Sequence, residues 1–390
     1  MTATRPLAAS ALAFGLVTAA TTVTASSAWA QDANASTAPT AGTTAATEAE
    51  EQAELARLYE QARAEGGGLV VYAGGDKPGQ ADYLRDAFRE RFPEVDIDIV
   101  VDFSKHHNAR IDHQVDNGNV VADVVHFQTI DDFPRWKEEG ILEQYRPLGW
   151  NQIPDTIKDA DGFYTGVFYF GFGNVTATTL GDNAPVEAQD FLKPEYKDKL
   201  VITFPQDDDA VLYYFKQLTD TYGWDYVERL IEQNPRWVRG TQDAAQLVGT
   251  DGLVAAFGSA GVQSDASRLS FPQNSPWVAW PQTGAILKDA PHKAAAQLYL
   301  SWLLSKEAQQ NDIGTWSARN DVAPPEGRQG INEYDNMNPL GLGEFMNDRG
   351  ALDRYKARIN LLVGDVTGVN PADPEGVLGT HPVSQDGRQG

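Results

Sequence analysis

Gly68-Leu69-Val70-Val71-Tyr72-Ala73-Gly74-Gly75-Asp76-Lys77-Pro78-Gly79-Gln80 is the stretch that decides the fold. Four strand-prone apolar residues, Leu69 to Tyr72, run into a glycine-rich turn, and residues 80–92 follow with the apolar spacing of an amphipathic helix. That is the first strand, loop and helix of an α/β domain. An unbroken apolar strand is one whose two faces are covered by helices, as in a parallel sheet. Ligands of such sheets sit beyond the carboxyl ends of the strands, which places Gly74 to Lys77 to line a site. A plain tight turn is the simpler reading of the same glycines.

Upstream lie segments outside this fold. Arg5, an apolar alanine-rich run from Leu7 to Val23 and the small-residue pattern Ser27-Ala28-Trp29-Ala30 read as an export signal over residues 1–30, cleaved near Ala30. The run is too short and too interrupted by threonine to span a bilayer, and no later stretch is apolar enough; a soluble mature protein without membrane insertion is expected. Residues 31–47, rich in Ala, Thr and Ser, read as a disordered linker. Residues 48–67 form an N-terminal helix, with Leu55, Leu58 and Ala62 among charges, expected to be solvated and to end at Gly66-Gly67.

Composition removes several function classes. The chain has 390 residues and no cysteine, so lipid anchoring at a cleavage-site cysteine, disulfides, thiolate metal sites and cysteine nucleophiles are excluded. A formal net charge of −24 argues against nucleic acid as a partner, because phosphate-backbone binding needs Lys and Arg. Acidity fits cationic ligands or a salty habitat.

Beyond the opening unit, residues 95–101 read as a second strand, Ser104 as the N-cap of a helix near 106–117, and residues 122–127 as a third strand ending at Gln128-Thr129. The alternation with short loops predicts one mainly parallel sheet. Residues 163–176 form a long aromatic run with Gly166, Gly171 and Gly173, suited to a crossover where backbones approach closely. A new strand at 200–204 leads to Asp207-Asp208-Asp209, which open a helix reaching about Tyr222. In a first helical turn such acids complement the helix dipole, a structural explanation in its own right. Thr241 caps a helix at 242–249, a strand follows at 253–258, and residues 277–287 are a return crossover. Helices are read at 293–304 and 306–313, and residues 370–390 as a loose tail.

The blocks LVVYAGGDKPG, ADVVHFQT, RWKEEGIL, TGVFYFGFGNV, FLKPEYKDKLVITFPQDDDAVLYYF, NPRWVRGTQDAAQLV and HKAAAQLYLSWLLSKEAQQ before WSARNDVAPP occur in an order that resembles the type 2 periplasmic solute-binding proteins of ABC importers, in the branch containing ferric-iron binding proteins. The resemblance implies an α/β, periplasmic-binding-protein-like type II fold, with two lobes joined by two hinge strands and the solute between them. Lobe 1 would be residues 68–172 and 279–345, lobe 2 residues 173–278, and residues 346–390 a C-terminal helix and loose tail. It implies a monomer, not an enzyme, that captures a small polar solute by hinge closure and delivers it to an ABC permease and its ATPase. Alternatives are an iron carrier of the same family, a ligand sensor without transport, and, most remote, an exported hydrolase.

Iron-binding relatives use adjacent tyrosines after the strand matching residues 253–257, often with a histidine in the first loop. This chain has Gly258-Ser259 and Asp76 there. Tyr213-Tyr214 lie in a helix, where consecutive side chains diverge by about 100°. No metal and no cofactor are therefore expected. The residues placed toward the cleft are Gly75, Asp76 and Lys77 after the first strand; Ser104, His106 and His107 at the following helix; Gln128 and Thr129 after the third strand; and Tyr169 on the crossover. Lobe 2 contributes Asp207, Asp208, Asp209, Thr241, Gln242 and Ser259. Each has a plainer reading: His106 and His107 as exposed helix polar groups, Tyr169 and Trp280 as aromatic packing. Free N–H groups at the Thr241 helix fit an anion, and the aspartates fit an ammonium group. Gly258-Ser259-Ala260-Gly261 is half a nucleophile elbow with Phe257 where glycine is needed, and HExxH and GxxxxGK[ST] are absent.

Overall fold

A computed structural model describes residues 47–259 and 264–389. The export signal and nearly all of the linker read from the sequence lie outside these residues. In chain order the elements are α1 (Glu48–Glu65), β1 (Gly68–Gly74), α2 (Asp82–Arg91), β2 (Asp96–Asp102), α3 (Ser104–Asp116), β3 (Val124–Phe127), α4 (Asp132–Glu138), β4 (Thr165–Ala177), β5 (Val201–Thr203), α5 (Asp209–Tyr222), α6 (Trp224–Glu232), β6 (Arg236–Val238), α7 (Thr241–Leu247), β7 (Ala255–Ser259), β8 (Ser267–Ser270), β9 (Val278–Ile286), α8 (Lys293–Leu303), α9 (Lys306–Asn311), β10 (Trp316–Ser317), α10 (Gly341–Asn347) and α11 (Arg349–Val363).

The opening apolar run behaves as its composition dictates. β1 lies between β2 and β3, parallel to both, with Val71 opposite Ile99 and Val124. The parallel character stops there, contrary to the single mainly parallel sheet expected. β3 pairs with β9 antiparallel, β9 with β4 antiparallel, and β4 with β7, β8 and β10 antiparallel; the β5–β6 pair is parallel again, as is an isolated bridge between Leu200 and Ala255. Long crossover strands that return between the lobes must run against their partners, and a strand-by-strand reading does not see that.

β4 is the joint. Its first half, up to Phe172, pairs with β9, and its second half, from Gly173, pairs with β7 and β8. The glycine at the change of partner is required: a Cβ on Gly173 would overlap the Ser270 carbonyl oxygen. Two large apolar cores flank the joint, and a smaller third cluster gathers around Val175, Val201 and Ala256. One holds Val71, Phe88, Phe127 and Trp302; the other holds Phe215, Leu218, Trp280 and Ile359; Phe170 packs against both. The two-lobed α/β class read from the sequence is the class observed.

Three parts differ from the expectation. α1 is not a solvated helix: Leu55, Leu58 and Ala62 are buried in the first core. Burying each leucine is worth about 1.5–3 kcal/mol, and Glu51 adds an ion pair to Arg319 at 2.8 Å in which both side chains are buried. α10 and α11 join the second core through Leu342, Met346, Leu352 and Tyr355, so residues 341–345 do not group with lobe 1. The C-terminal residues are not loose. Ala372 and Leu378 are fully buried, Tyr72 donates its hydroxyl to the Pro382 carbonyl at 2.9 Å, and the Gln385 amide meets both Val101 N–H (2.6 Å) and Val101 C=O (3.2 Å). β2 is an edge strand, and the tail covers the row of backbone groups that such an edge leaves open.

Candidate functional site

A cleft opens where the carboxyl ends of β1, β2 and β3 face Asp207, the start of α5 and the start of α7. Its atom-free space, including the open mouth, is about 590 Å³. The first-lobe wall is rigid for local reasons. Gly75 N–H donates to Asp102 C=O at 3.0 Å. The Gln80 amide oxygen accepts from the N–H groups of Asp76 (2.7 Å) and Lys77 (3.2 Å), closing the loop on itself. Ser104 Oγ accepts from Gln128 N–H at 3.0 Å and so ties the ends of β2 and β3 together. A Cβ on Gly74 would overlap that same hydroxyl, which is why the strand ends in glycine.

Asp76 is buried, 4 % exposed, and crosses the cleft. Its Oδ2 accepts from Thr241 Oγ1 at 2.8 Å, from Gln242 N–H at 3.1 Å and from Thr241 N–H. The sequence left those N–H groups free for a ligand anion; the structure spends them on the protein's own carboxylate. Burial pushes the Asp76 pKa up, the hydrogen bonds from Gln242 and Thr241 oppose this, and Asp243 adds to the rise.

The three aspartates of lobe 2 divide by partner. Asp207 is held by Lys105 Nζ at 2.5 Å and Arg239 Nε at 2.7 Å; burial raises its pKa, but Arg239 and Lys105 outweigh that and hold it below the usual range. Asp208 caps α5, accepting from the N–H groups of Ala210 (2.9 Å) and Val211 (3.0 Å). Burial pushes its pKa up to about 7, with Asp209 and Asp76 adding to the rise against the Val211 hydrogen bond. Asp209 lines the same space. Neither Asp208 nor Asp209 makes an ion pair among the described residues.

The floor is aromatic. Phe170 and Phe172 from β4 pack on Trp280 from β9, with ring centroids 5.7 and 4.7 Å away. Trp280 Nε1 donates to Gln282 Oε1 at 3.0 Å, so the indole presents a face and not a polar edge.

Gly75, Asp76, Ser104, Gln128, Thr129, Asp207, Asp208, Asp209 and Thr241 thus share one cleft, and the other expected site residues do not line it. Lys77 reaches outside the cleft to Asp243 and to Gln246 (2.5 Å) on α7. His106 Nδ1 donates to Asp102 Oδ1 at 3.1 Å. His107 is fully buried between the rings of Tyr72 and Phe127, and burial, then the Arg110 charge, pushes its pKa down to about 3, so it is neutral packing. Tyr169 faces away and pairs with Trp316 in the first-lobe core. Gln242 gives only its N–H to Asp76, and Ser259 is buried with its hydroxyl on the Thr241 carbonyl at 3.0 Å. Gln80, Phe103, Phe170, Phe172 and Gln282 were not read as lining residues. Phe170 and Phe172 were legible only as aromatics on a crossover, with no signal for which parity faces the ligand. The Tyr213-Tyr214 pair splits as its helical positions require: Tyr214 packs on Phe257 and Tyr213 on Phe345. Among the described residues no group of three or more His, Asp or Glu is arranged to hold a metal ion.

Two α/β lobes, a strand pair running between them and a polar interlobe cleft define a two-lobed ligand-binding protein. Residues 119–333 match the family described as bacterial extracellular solute-binding protein, and the chain belongs to that family, one of binding proteins rather than enzymes. No curated protein sequence matches. Among solved structures, the chain resembles the substrate-binding protein of the ABC transporter from Agrobacterium tumefaciens, at 14 % identity over 76 % of this chain and 94 % of that one, with a TM-score of 0.64. It also resembles the periplasmic binding protein AfuA from Actinobacillus pleuropneumoniae with fructose-6-phosphate bound, at 18 % identity over 75 % and 99 %, TM-score 0.60. A third likeness is to apo ferric ion-binding protein A from Pasteurella haemolytica, at 14 % identity over 77 % and 100 %, TM-score 0.57. At these identities the likeness is one of fold.

Proposed function

We propose that this protein captures a small organic cation in the interlobe cleft and delivers it to an ABC import permease and its ATPase. In this reading it is a periplasmic monomer, exported by a signal removed near Ala30. One observation carries the choice of ligand charge. Lys105, the cation that lines the cleft, is committed to Asp207, while Asp208 and Asp209 face the same space without a cationic partner. The aromatic floor of Phe170, Phe172 and Trp280 suits a cation, which gains about 0.5–2 kcal/mol over such a ring face.

Two of the solved structures that share the fold carry other ligands, fructose-6-phosphate in AfuA and iron in HitA from Pseudomonas aeruginosa. In this chain Asp76 supplies the negative charge at the α7 N–H groups, so an anionic solute would bring like charge to that place. Melting of the chain is the test, because a ligand that binds only the folded state raises the melting temperature. Quaternary and primary amines should raise it and sugar phosphates should not; the reverse pattern would end the cation reading.

A further inference from the structure

The cleft does not end at Asp209. A second chamber lies beyond it, lined by Asp131, Asp132, Arg135 and Arg349, and Lys105, Thr129 and Asp209 line both spaces. Two buried acceptors at this junction have no partner: Thr129 Oγ1, in a residue only 4 % exposed, and Asp131 Oδ1. Asp76 Oδ1, in a residue that lines the first chamber alone, is likewise buried and without a partner. Unsatisfied buried acceptors are destabilising and call for an explanation.

The carboxylates between these points act on one another in series. Asp76 and Asp209 raise the pKa of Asp208, and Asp209 and Asp132 raise that of Asp131, after burial as the first cause in each case. The cations present do not discharge this track. Arg135 is shared among Asp112, Asp132 and Glu139, Lys105 is on Asp207, and Arg349, largely exposed at the rim, reaches one oxygen of Asp131 at 3.3 Å.

We propose that the two chambers form one two-ended site for an extended dication of the α,ω-diamine class, one ammonium group at Asp208 and Asp209 and the other at Thr129 and Asp131. The inference rests on the cation reading above and adds length and a second charge to it. An ammonium group has three N–H donors, which matches a hydroxyl and a carboxylate oxygen that both lack a donor. The apolar methylene chain would run between them past the aromatic floor.

The experiment is titration calorimetry of the mature chain with diaminobutane and with butylamine, repeated on Asp131→Asn. The diamine should bind the natural chain at least about tenfold more tightly. Asp131→Asn should bring the diamine down to the butylamine affinity and leave butylamine unchanged. Equal affinity for the two amines, or an equal loss of both in Asp131→Asn, would overturn the two-ended site while leaving the cation reading intact. If neither amine binds, the cation reading itself is wrong. A series of three- to six-carbon diamines on the natural chain needs no variant: affinity should peak at one length, and a flat series also overturns the proposal.

Discussion

Asp76 and Thr241, in different lobes and 165 positions apart in the chain, are joined by a 2.8 Å hydrogen bond from the threonine hydroxyl to the aspartate Oδ2. The same oxygen accepts the N–H groups that open α7. The closed cleft is thus fastened by a carboxylate of the protein, and ligand affinity is coupled to that fastening.

Asp76→Ala leaves the Thr241 and Gln242 N–H groups buried without an acceptor, a loss of about 1–3 kcal/mol to the closed form. Solute affinity should fall by about tenfold or more, and small-angle scattering of the free protein should show a larger radius of gyration. Unchanged affinity and an unchanged radius would show that the bond is incidental to closure.

Asp208 gives a pH signature. Its pKa is about 7 folded against 3.8 for the ordinary carboxyl, so the folded state holds the extra proton between these values. Stability from this group therefore falls as pH rises through that window. Asp208→Asn, which keeps a good N-cap, should flatten the corresponding slope of melting temperature against pH. A cationic solute needs the ionised form, so affinity should climb as pH passes about 7 and should lose that climb in Asp208→Asn.

His107 separates packing from binding. Its ring is stacked 4.5 Å from Tyr72 and 5.5 Å from Phe127 and lies outside the cleft. His107→Gln should lower the melting temperature and leave solute affinity unchanged, as read by thermal melting and calorimetry on the same preparation. A selective loss of affinity would return this residue to the site.

The C-terminal segment predicts a stability loss far from the cleft. Leu378 is fully buried in the first-lobe core, and Leu378→Ala should cost about 2–5 kcal/mol in denaturant unfolding. Truncation after Gly364 should be worse, because it uncovers the β2 edge and invites association, measurable as oligomers in size-exclusion chromatography.

Much of the frame was legible because it rests on local chemistry. The apolar run at Val70 and Val71 needs cover on both faces, and the glycine at 173 marks where two backbones meet. What stayed hidden depends on distant partners. Asp76 was placed at the cleft, yet nothing near it in the chain announces Thr241. On β4 the choice between Tyr169 and Phe170 is a matter of parity, reset by a register shift between Gly166 and Phe168, and a shift of one residue exchanges the two faces of a strand. The tail has no periodic apolar pattern; it is held by side chains such as Gln385 bonding to a strand edge, an order that composition does not encode.

The most direct measurement of the central claim is calorimetric titration at neutral pH of the natural chain and of the Asp208→Asn, Asp209→Asn double variant. The titrants are an organic amine and fructose-6-phosphate. The account predicts saturable amine binding to the natural chain, its loss in the double variant, and no sugar phosphate binding to the natural chain. Saturable phosphate binding with no response to amines would contradict it.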